Sequence, residues 1–338
     1  MKLPPHSAAR SVAVCLLTLV FAAFLNAAGM RKTAQIQAQG VQRRVAIAVA
    51  GPLLDVSRFL RLTTPRHELQ VAVGRQDWDD IDTQVHLAIP PAQPKPGHST
   101  TTTSTPTKTT SRPSAHRPAA LPRFTAAHPL RVWIAGDSLA EVPGQGLERA
   151  ATPSFDVVGV ESRLSTGLAR PDLYNWYTRI PAATKELGAR VAVFSFGADD
   201  AHDFMAGVPE GKTIGPLGSA SWDAEYRRRV DGVTRELAAR GIYTVWLGLP
   251  IPDGPGFRHS FPIVNRILAS VAKAHPQTST YVDTWHLLDD ARGRYTAYLR
   301  VNGKLTLVRL PDGVHYTAAA GDLVAAQVLR QLRARFRF

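Results

Sequence analysis

Residues 130–338 predict an α/β domain of three layers, a doubly wound and mainly parallel sheet of five strands with helices on both faces. Three observations carry this expectation. Five short apolar runs rich in Val, Ile, Phe and Trp recur along the segment, helical stretches separate them, and glycine-punctuated turns lie between. Alternating strand and helix argue for parallel pairing, and right-handed crossovers then restrict the topology.

The strands are expected at Leu130–Ala135, Phe155–Val160, Arg190–Phe196, Ile242–Leu249 and Thr280–Trp285. Each is a run of the length and composition of a strand buried on both faces. Helices are expected at about Asp172–Leu187, Ser221–Arg240, Ile263–His275 and Thr317–Arg335. In the second of these, Trp222, Tyr226, Val230, Val233 and Leu237 recur at helical spacing. The run Arg227, Arg228, Arg229 therefore reads as the solvated side of an amphipathic helix and not as a nucleic-acid patch. Between Tyr295 and Val308 an Asn302-Gly303 turn flanked by alternating residues predicts a hairpin inserted before the last helix.

The chain before this domain has a different composition. Residues 1–30 contain the apolar run Ser11–Met30, about the length that crosses a bilayer core, with Lys2 and Arg10 before it and Arg31 and Lys32 after it. It reads as a transmembrane anchor; a signal peptide cleaved near Ala27-Ala28-Gly29 is the alternative. Residues 31–88 form a stalk with a helix expected at Val45–Leu62. Residues 89–129, which include STTTTSTPTKTTSR, are too poor in apolar groups to offset chain entropy and read as an extended linker.

The formal charge is +13, but residues 1–122 hold 14 Lys/Arg against 6 Asp/Glu, and residues 123–338 hold 26 against 21. Most of the excess lies before the folded domain, in residues 1–122. That suits an anionic lipid or wall polymer, and no recognisable module supports nucleic-acid binding. The one cysteine, Cys15, excludes an intramolecular disulfide.

Two motifs carry the chemistry. Gly136-Asp137-Ser138-Leu139 follows the first strand directly, so Ser138 lies on a turn entering a helix, where a nucleophile and a nascent oxyanion are both well served. Near the other end, Asp312-Gly313-Val314-His315 places an acid three residues before a base on a loop leading into the final helix. If the loop folds over Ser138, His315 takes the serine proton and Asp312 orients and stabilises the imidazole. Each motif is common alone; in this order, around an α/β body, they form a catalytic constellation.

With these motifs in place the sequence resembles the SGNH/GDSL hydrolase superfamily over about Leu130–Phe336, which implies an SGNH/flavodoxin-like sheet. The resemblance implies that Ser165-Thr166-Gly167-Leu168 is the second block, with the Gly167 amide joining that of Ser138 in an oxyanion hole. More narrowly, Thr166-Gly167-Leu168, Trp176, Trp222, Tyr226, Trp246-Leu247-Gly248-Leu249-Pro250, Asn265, Tyr281-Val282-Asp283-Thr284, Arg309 and Asp312-Gly313 are similar to a bacterial cell-envelope branch of unknown function. That branch is related to domains of wall-polysaccharide O-acetylation. The implied activity is that of a serine esterase or O-acyltransferase on O-acyl groups of an envelope glycan, outside the cytoplasm, with no cofactor and no metal.

One position departs from the pattern. The third block normally supplies an asparagine as oxyanion donor, and here Gly197-Ala198-Asp199-Asp200 puts Asp199 in its place. An ionised Asp199 accepts where a donor is needed, and losing one such donor costs about 10²- to 10³-fold in rate. A protonated Asp199, slow turnover on backbone amides, or a fold kept for binding alone are the three consequences. Trp176 and Arg309 are candidates for substrate binding, Trp176 by stacking on a sugar and Arg309 by meeting an anion or by pairing with Asp312 or Asp283. The expected partners are an O-acylated glycan or another small ester, and the membrane.

Overall fold

The computed structural model describes residues 8–35, 41–72, 84–85, 87, 121–208 and 213–338. They group into two compact units. One comprises Met1–Val85, Ala169–Asn175 and His202–Pro216, and the other His86–Leu168, Trp176–Ala201 and Leu217–Phe338.

The first unit contains α1 (Ala8–Leu25), α2 (Ala27–Gln35), α3 (Val41–Phe59) and α4 (Thr64–Ala72). The apolar run expected as one span, Ser11–Met30, is broken at Asn26, where α1 and α2 meet at 71°. Side chains hold the break: Arg66 donates to Asn26 Oδ1 at 2.6 Å, and the Ser57 hydroxyl donates to the Phe24 carbonyl at 2.6 Å. Among the described residues no single helix is long and apolar enough to cross a membrane, although the bent pair α1–α2 meets that length and composition. The stalk helix expected at Val45–Leu62 starts four residues earlier and continues through Pro52.

In the second unit, β1 (Leu130–Gly136) is followed by a single 3₁₀ turn (Ser138–Ala140), α5 (Glu141–Arg149), β2 (Phe155–Ser162), α6 (Trp176–Glu186) and β3 (Val191–Ser195). There follow α7 (Ala220–Ala239), β4 (Tyr243–Leu247), α8 (Pro255–Ala274), β5 (Ser279–Val282) and the short α9 (Thr284–Leu287). The hairpin β6 (Tyr298–Val301) and β7 (Lys304–Leu307) precedes α10 (Ala318–Arg335). The five strands pair in the order β2-β1-β3-β4-β5, all parallel, with one register shift between Val132 and Trp133. Helices α5 and α10 pack together, as do α7 and α8, and right-handed crossovers in this strand order put the two pairs on opposite faces.

Burial explains why the strand expectations succeed. All residues of β3 are buried, and the Phe194 ring meets those of Trp133, Phe196 and Trp246 in the core, with centroids 5.1–5.8 Å apart. Each such side chain contributes about 1.5–3 kcal/mol on burial. The turn at Asn302-Gly303 has φ of 51° and 79°, the left-handed pair a two-residue hairpin needs.

Three expectations are corrected. The fifth strand stops at Val282, because Asp283 caps α9 by accepting the His286 amide. The third expected helix, α8, begins at Pro255 and not Ile263, since proline fits the first helical turn, where an amide hydrogen is not needed. The linker expected over 89–129 lies outside the described residues up to 120, but the domain reaches back to Pro122. There Phe124 bonds the Arg337 carbonyl, Arg337 bonds the Pro122 carbonyl, and the Phe124 and Phe336 rings meet edge to face.

Candidate active site

The first three sequence blocks follow the carboxyl ends of parallel strands β1, β2 and β3, where open α/β sheets place their ligand sites. The Asp312–His315 loop follows the β6–β7 hairpin and brings His315 to Ser138 there. After β1, Gly136 (φ 158°) carries the chain so close to β3 that a Cβ would overlap the Ser195 carbonyl. Asp137 then turns inward. Its Oδ1 accepts the Leu139 amide at 2.9 Å, capping the 3₁₀ turn, and its Oδ2 accepts the Ala198 amide at 3.2 Å. This buried carboxyl joins the first and third blocks. Burial, reinforced by the nearby Asp199, raises its pKa well above the ordinary carboxylate value.

Ser138 opens the 3₁₀ turn, half-buried, and its Oγ lies 2.8 Å from His315 Nε2. His315 Nδ1 lies 3.0 Å from Asp312 Oδ2, while Asp312 Oδ1 accepts the amides of Val314 and His315 at 2.8 Å each. Partial burial works against ionisation of Asp312, yet the two amides and the imidazole outweigh it and hold the carboxyl below its ordinary value. The acid and base are open to solvent, with side chains 48% and 39% exposed.

The turn that presents them is fixed by its neighbours. Gly313 adopts φ 72°, and its carbonyl accepts the Asp253 amide at 3.0 Å. Arg309 lies beneath. One of its nitrogens donates to the Val314 carbonyl at 3.3 Å, another to the Ile251 carbonyl at 3.0 Å, and its guanidinium lies over the Tyr316 ring. The substrate-binding role expected of Arg309 is therefore corrected. The side chain is 1% exposed, and it ties the catalytic loop to the loop after β4 instead of facing a ligand. It forms no ion pair with Asp312 or Asp283, and burial lowers its pKa.

The second block is held by two residues that the motif reading left without this task. Asp200 Oδ2 accepts the Leu168 amide at 2.9 Å and the Tyr226 hydroxyl at 2.7 Å, and a Cβ on Gly167 would overlap Asp200. Trp176 is wholly buried, and its indole donates to Thr166 Oγ1 at 3.0 Å, while Thr166 donates to the Arg163 carbonyl at 2.7 Å. Stacking on a sugar is thus corrected to a structural role for Trp176. Ser165, just ahead, has φ 59°, a left-handed conformation forced by this tight turn. Gly167 is buried, whereas Asp199 is half-buried on the turn after Gly197.

The Asp-x-x-His spacing occurs three times in the sequence, at Asp199–His202, Asp283–His286 and Asp312–His315. Asp283 and His286 repeat the local pairing, with Nδ1 to Oδ2 at 2.7 Å, and Asp283 raises the imidazole pKa. Ser138, however, meets His315. Among the described residues no group of three or more His, Cys, Asp or Glu is arranged to hold a metal ion.

A parallel sheet ordered 2-1-3-4-5, a serine on the turn after its first strand and an Asp-x-x-His loop before its last helix define an SGNH/GDSL-type domain. Residues 131–331 match the family described as "Protein of unknown function (DUF459)", and the chain belongs to that family. Solved structures with a similar fold include a GDSL-like lipase from Bacteroides thetaiotaomicron, at 14% identity over 61% of this chain and 88% of that one, TM-score 0.41. A lipase/acylhydrolase from Enterococcus faecalis matches at 14% identity over 61% and 96%, TM-score 0.41. An acetylxylan esterase from Geobacillus stearothermophilus matches at 14% identity over 60% and 93%, TM-score 0.42. Among curated proteins nothing matches the sequence.

Proposed function

We propose that the protein is a serine esterase or O-acyltransferase acting on O-acyl groups of a cell-envelope glycan, outside the cytoplasm. The observation that carries this reading is the unbroken chain from Ser138 Oγ through His315 to Asp312 at the open end of the sheet. In the proposed reaction Ser138 Oγ attacks the acyl carbon as its proton passes to His315 Nε2, and Asp312 stabilises the resulting imidazolium. The oxyanion is received by the amides of Ser138 and Gly167. Collapse breaks the ester bond, His315 returns the proton to the leaving sugar oxygen, and the acyl group stays on Ser138. A second hydroxyl, from water or from another sugar, gives its proton to His315 as it attacks the acyl carbon, and His315 passes that proton to Ser138 Oγ as the acyl–serine bond breaks. Hydrolysis and transfer share this intermediate and differ only in the acceptor.

The envelope location rests on α1, whose side chains from Val12 to Phe21 are apolar apart from Thr18, which bonds its own helix, and exposed where they are large. On this reading α1 anchors the chain in a membrane and the catalytic domain stands outside the cytoplasm.

A second reading has its own observation. Asp199 at the usual asparagine position favours a protein that keeps the fold and binds wall polymer without turnover. Reaction of the full chain with a fluorophosphonate probe, with Ser138→Ala as control, separates the two. Labelling that depends on Ser138 supports the enzyme, and its absence from acidic to neutral pH supports the binder.

A further inference from the structure

Helix α3 has two apolar faces, and only one of them is used. Ala50, Gly51, Leu54 and Ser57 are buried. They belong to the side that packs on α2 and reaches the end of α1, where Ser57 bonds the Phe24 carbonyl. On the other side Val41, Val45, Val49, Val56 and Phe59 fall within about 80° of arc at 3.6 residues per turn. All five are exposed, Phe59 by 87%. A continuous apolar stripe along a 19-residue helix is costly in water and calls for a partner.

The geometry points to a bilayer surface as that partner: α3 is an in-plane helix whose Val41–Phe59 stripe beds in the acyl boundary of an anionic membrane while α1 enters the hydrocarbon. This deepens the membrane reading above and rests on it. The 71° break at Asn26 directs α2 away from the axis of α1. Helix α3 runs back along α2, with Arg43 bonding the Gln35 carbonyl near one end and Ser57 meeting Phe24 near the other. With α1 in the acyl chains, α3 therefore lies near the membrane plane, the attitude of an interfacial amphipathic helix. Charge selects the lipid. From residue 27 to 59 five basic side chains, Arg31, Lys32, Arg43, Arg44 and Arg58, stand against one acid, Asp55. Anionic headgroups neutralise that excess, whereas a second copy of the chain brings the same excess against it.

The test is a fluorescence scan of the full chain reconstituted in vesicles of phosphatidylethanolamine with phosphatidylglycerol. In a Cys15→Ser background, an environment-sensitive dye is placed by Val45→Cys, Val49→Cys, Val56→Cys or Phe59→Cys, and outside the stripe, on its polar flank, by Arg44→Cys or Arg58→Cys. The stripe positions are expected to shift to the blue and to be quenched by brominated lipid, and the arginine positions to do neither. Equal emission at all six positions overturns the inference. So does a blue shift that needs no vesicles and grows with protein concentration, which assigns the stripe to a second copy. Dye on the native Cys15 reports α1 separately: quenching there with a silent α3 overturns this inference and leaves the anchor, whereas silence at both positions overturns both.

Discussion

His315 Nε2 lies 2.8 Å from Ser138 Oγ, across 177 residues of chain, while its Nδ1 is held 3.0 Å from Asp312. Because Asp312 also accepts two backbone amides, its carboxylate cannot rotate away from the imidazole without losing them. Asp312→Asn is expected to break this arrangement, since an amide group has one acceptor atom for three donors. Steady-state hydrolysis of a small activated ester should show kcat down by about 10³- to 10⁴-fold with KM little changed. A loss under tenfold means that solvent replaces the acid. The pKa of Asp312 is held below the ordinary carboxylate value, so protonation of this group cannot produce an acid limb of the rate profile near that value.

Arg309 acts on the reaction only through the loop it holds. Arg309→Met removes two charge-assisted bonds to the Val314 and Ile251 carbonyls, and stability should fall by about 2–3 kcal/mol. Arg309→Lys keeps the charge but cannot span both carbonyls, so it should recover only part of the loss. A positioning role predicts lower kcat on a small ester in both variants at unchanged KM. If KM for an anionic substrate rises while stability and kcat hold, Arg309 contacts substrate after all.

Tyr226 supports the second block at one remove. Its hydroxyl donates to Asp200, which in turn orders the Leu168 amide beside Gly167. Tyr226→Phe leaves a buried carboxylate one donor short and should cost about 1–3 kcal/mol in chemical denaturation. Gly167→Ala, whose Cβ overlaps Asp200, should reduce fluorophosphonate labelling more than Tyr226→Phe does. Equal labelling in both variants and the parent rules out a rate role for this turn.

Asp137 gives a pH signature of opposite sign to Asp312. Its folded pKa lies above the value of an exposed aspartate, so between those two values the native state binds more protons than the unfolded state. Stability from this group therefore falls as pH rises through that window. Asp137→Asn lacks the titration, although it carries a constant cost from the two amides that Asp137 caps. The difference in Tm, variant minus parent, should grow more positive from acid toward neutral pH. A difference independent of pH shows that Asp137 titrates alike in both states.

These residues also mark what the sequence could and could not disclose. Strands β1, β3 and β4 were legible because they are apolar runs buried on both faces, and the edge strands β2 and β5, though half-buried, kept enough apolar residues to be read. The triad was legible because two short motifs had a required order. Trp176 and Arg309 were not, since stacking platforms and buried struts use the same residue types, and only burial tells them apart. The Asp-x-x-His spacing could not choose among His202, His286 and His315, because the spacing is the same at each and nothing local records where Ser138 will lie. Asp200 was hidden for the same reason. Its partners Leu168 and Tyr226 are 32 and 26 residues away.

Asp199 decides between the two functional readings, and one substitution separates its possible roles. As a carboxylate it offers the oxyanion only repulsion, so Asp199→Asn should raise kcat toward the about 10²- to 10³-fold that one oxyanion donor is worth. As a protonated acid it already donates, and Asp199→Asn should then change the acidic rate little while extending activity to higher pH. Ala198, its neighbour, already gives its amide to Asp137 and is not available as a substitute donor. Comparing kcat for parent and Asp199→Asn at acidic and neutral pH therefore gives three distinct patterns. Gain at both pH values means an ionised Asp199 slows a working triad. Gain at neutral pH alone means a protonated donor. No turnover in either protein at any pH removes the enzyme reading and leaves a wall-binding protein on a hydrolase fold.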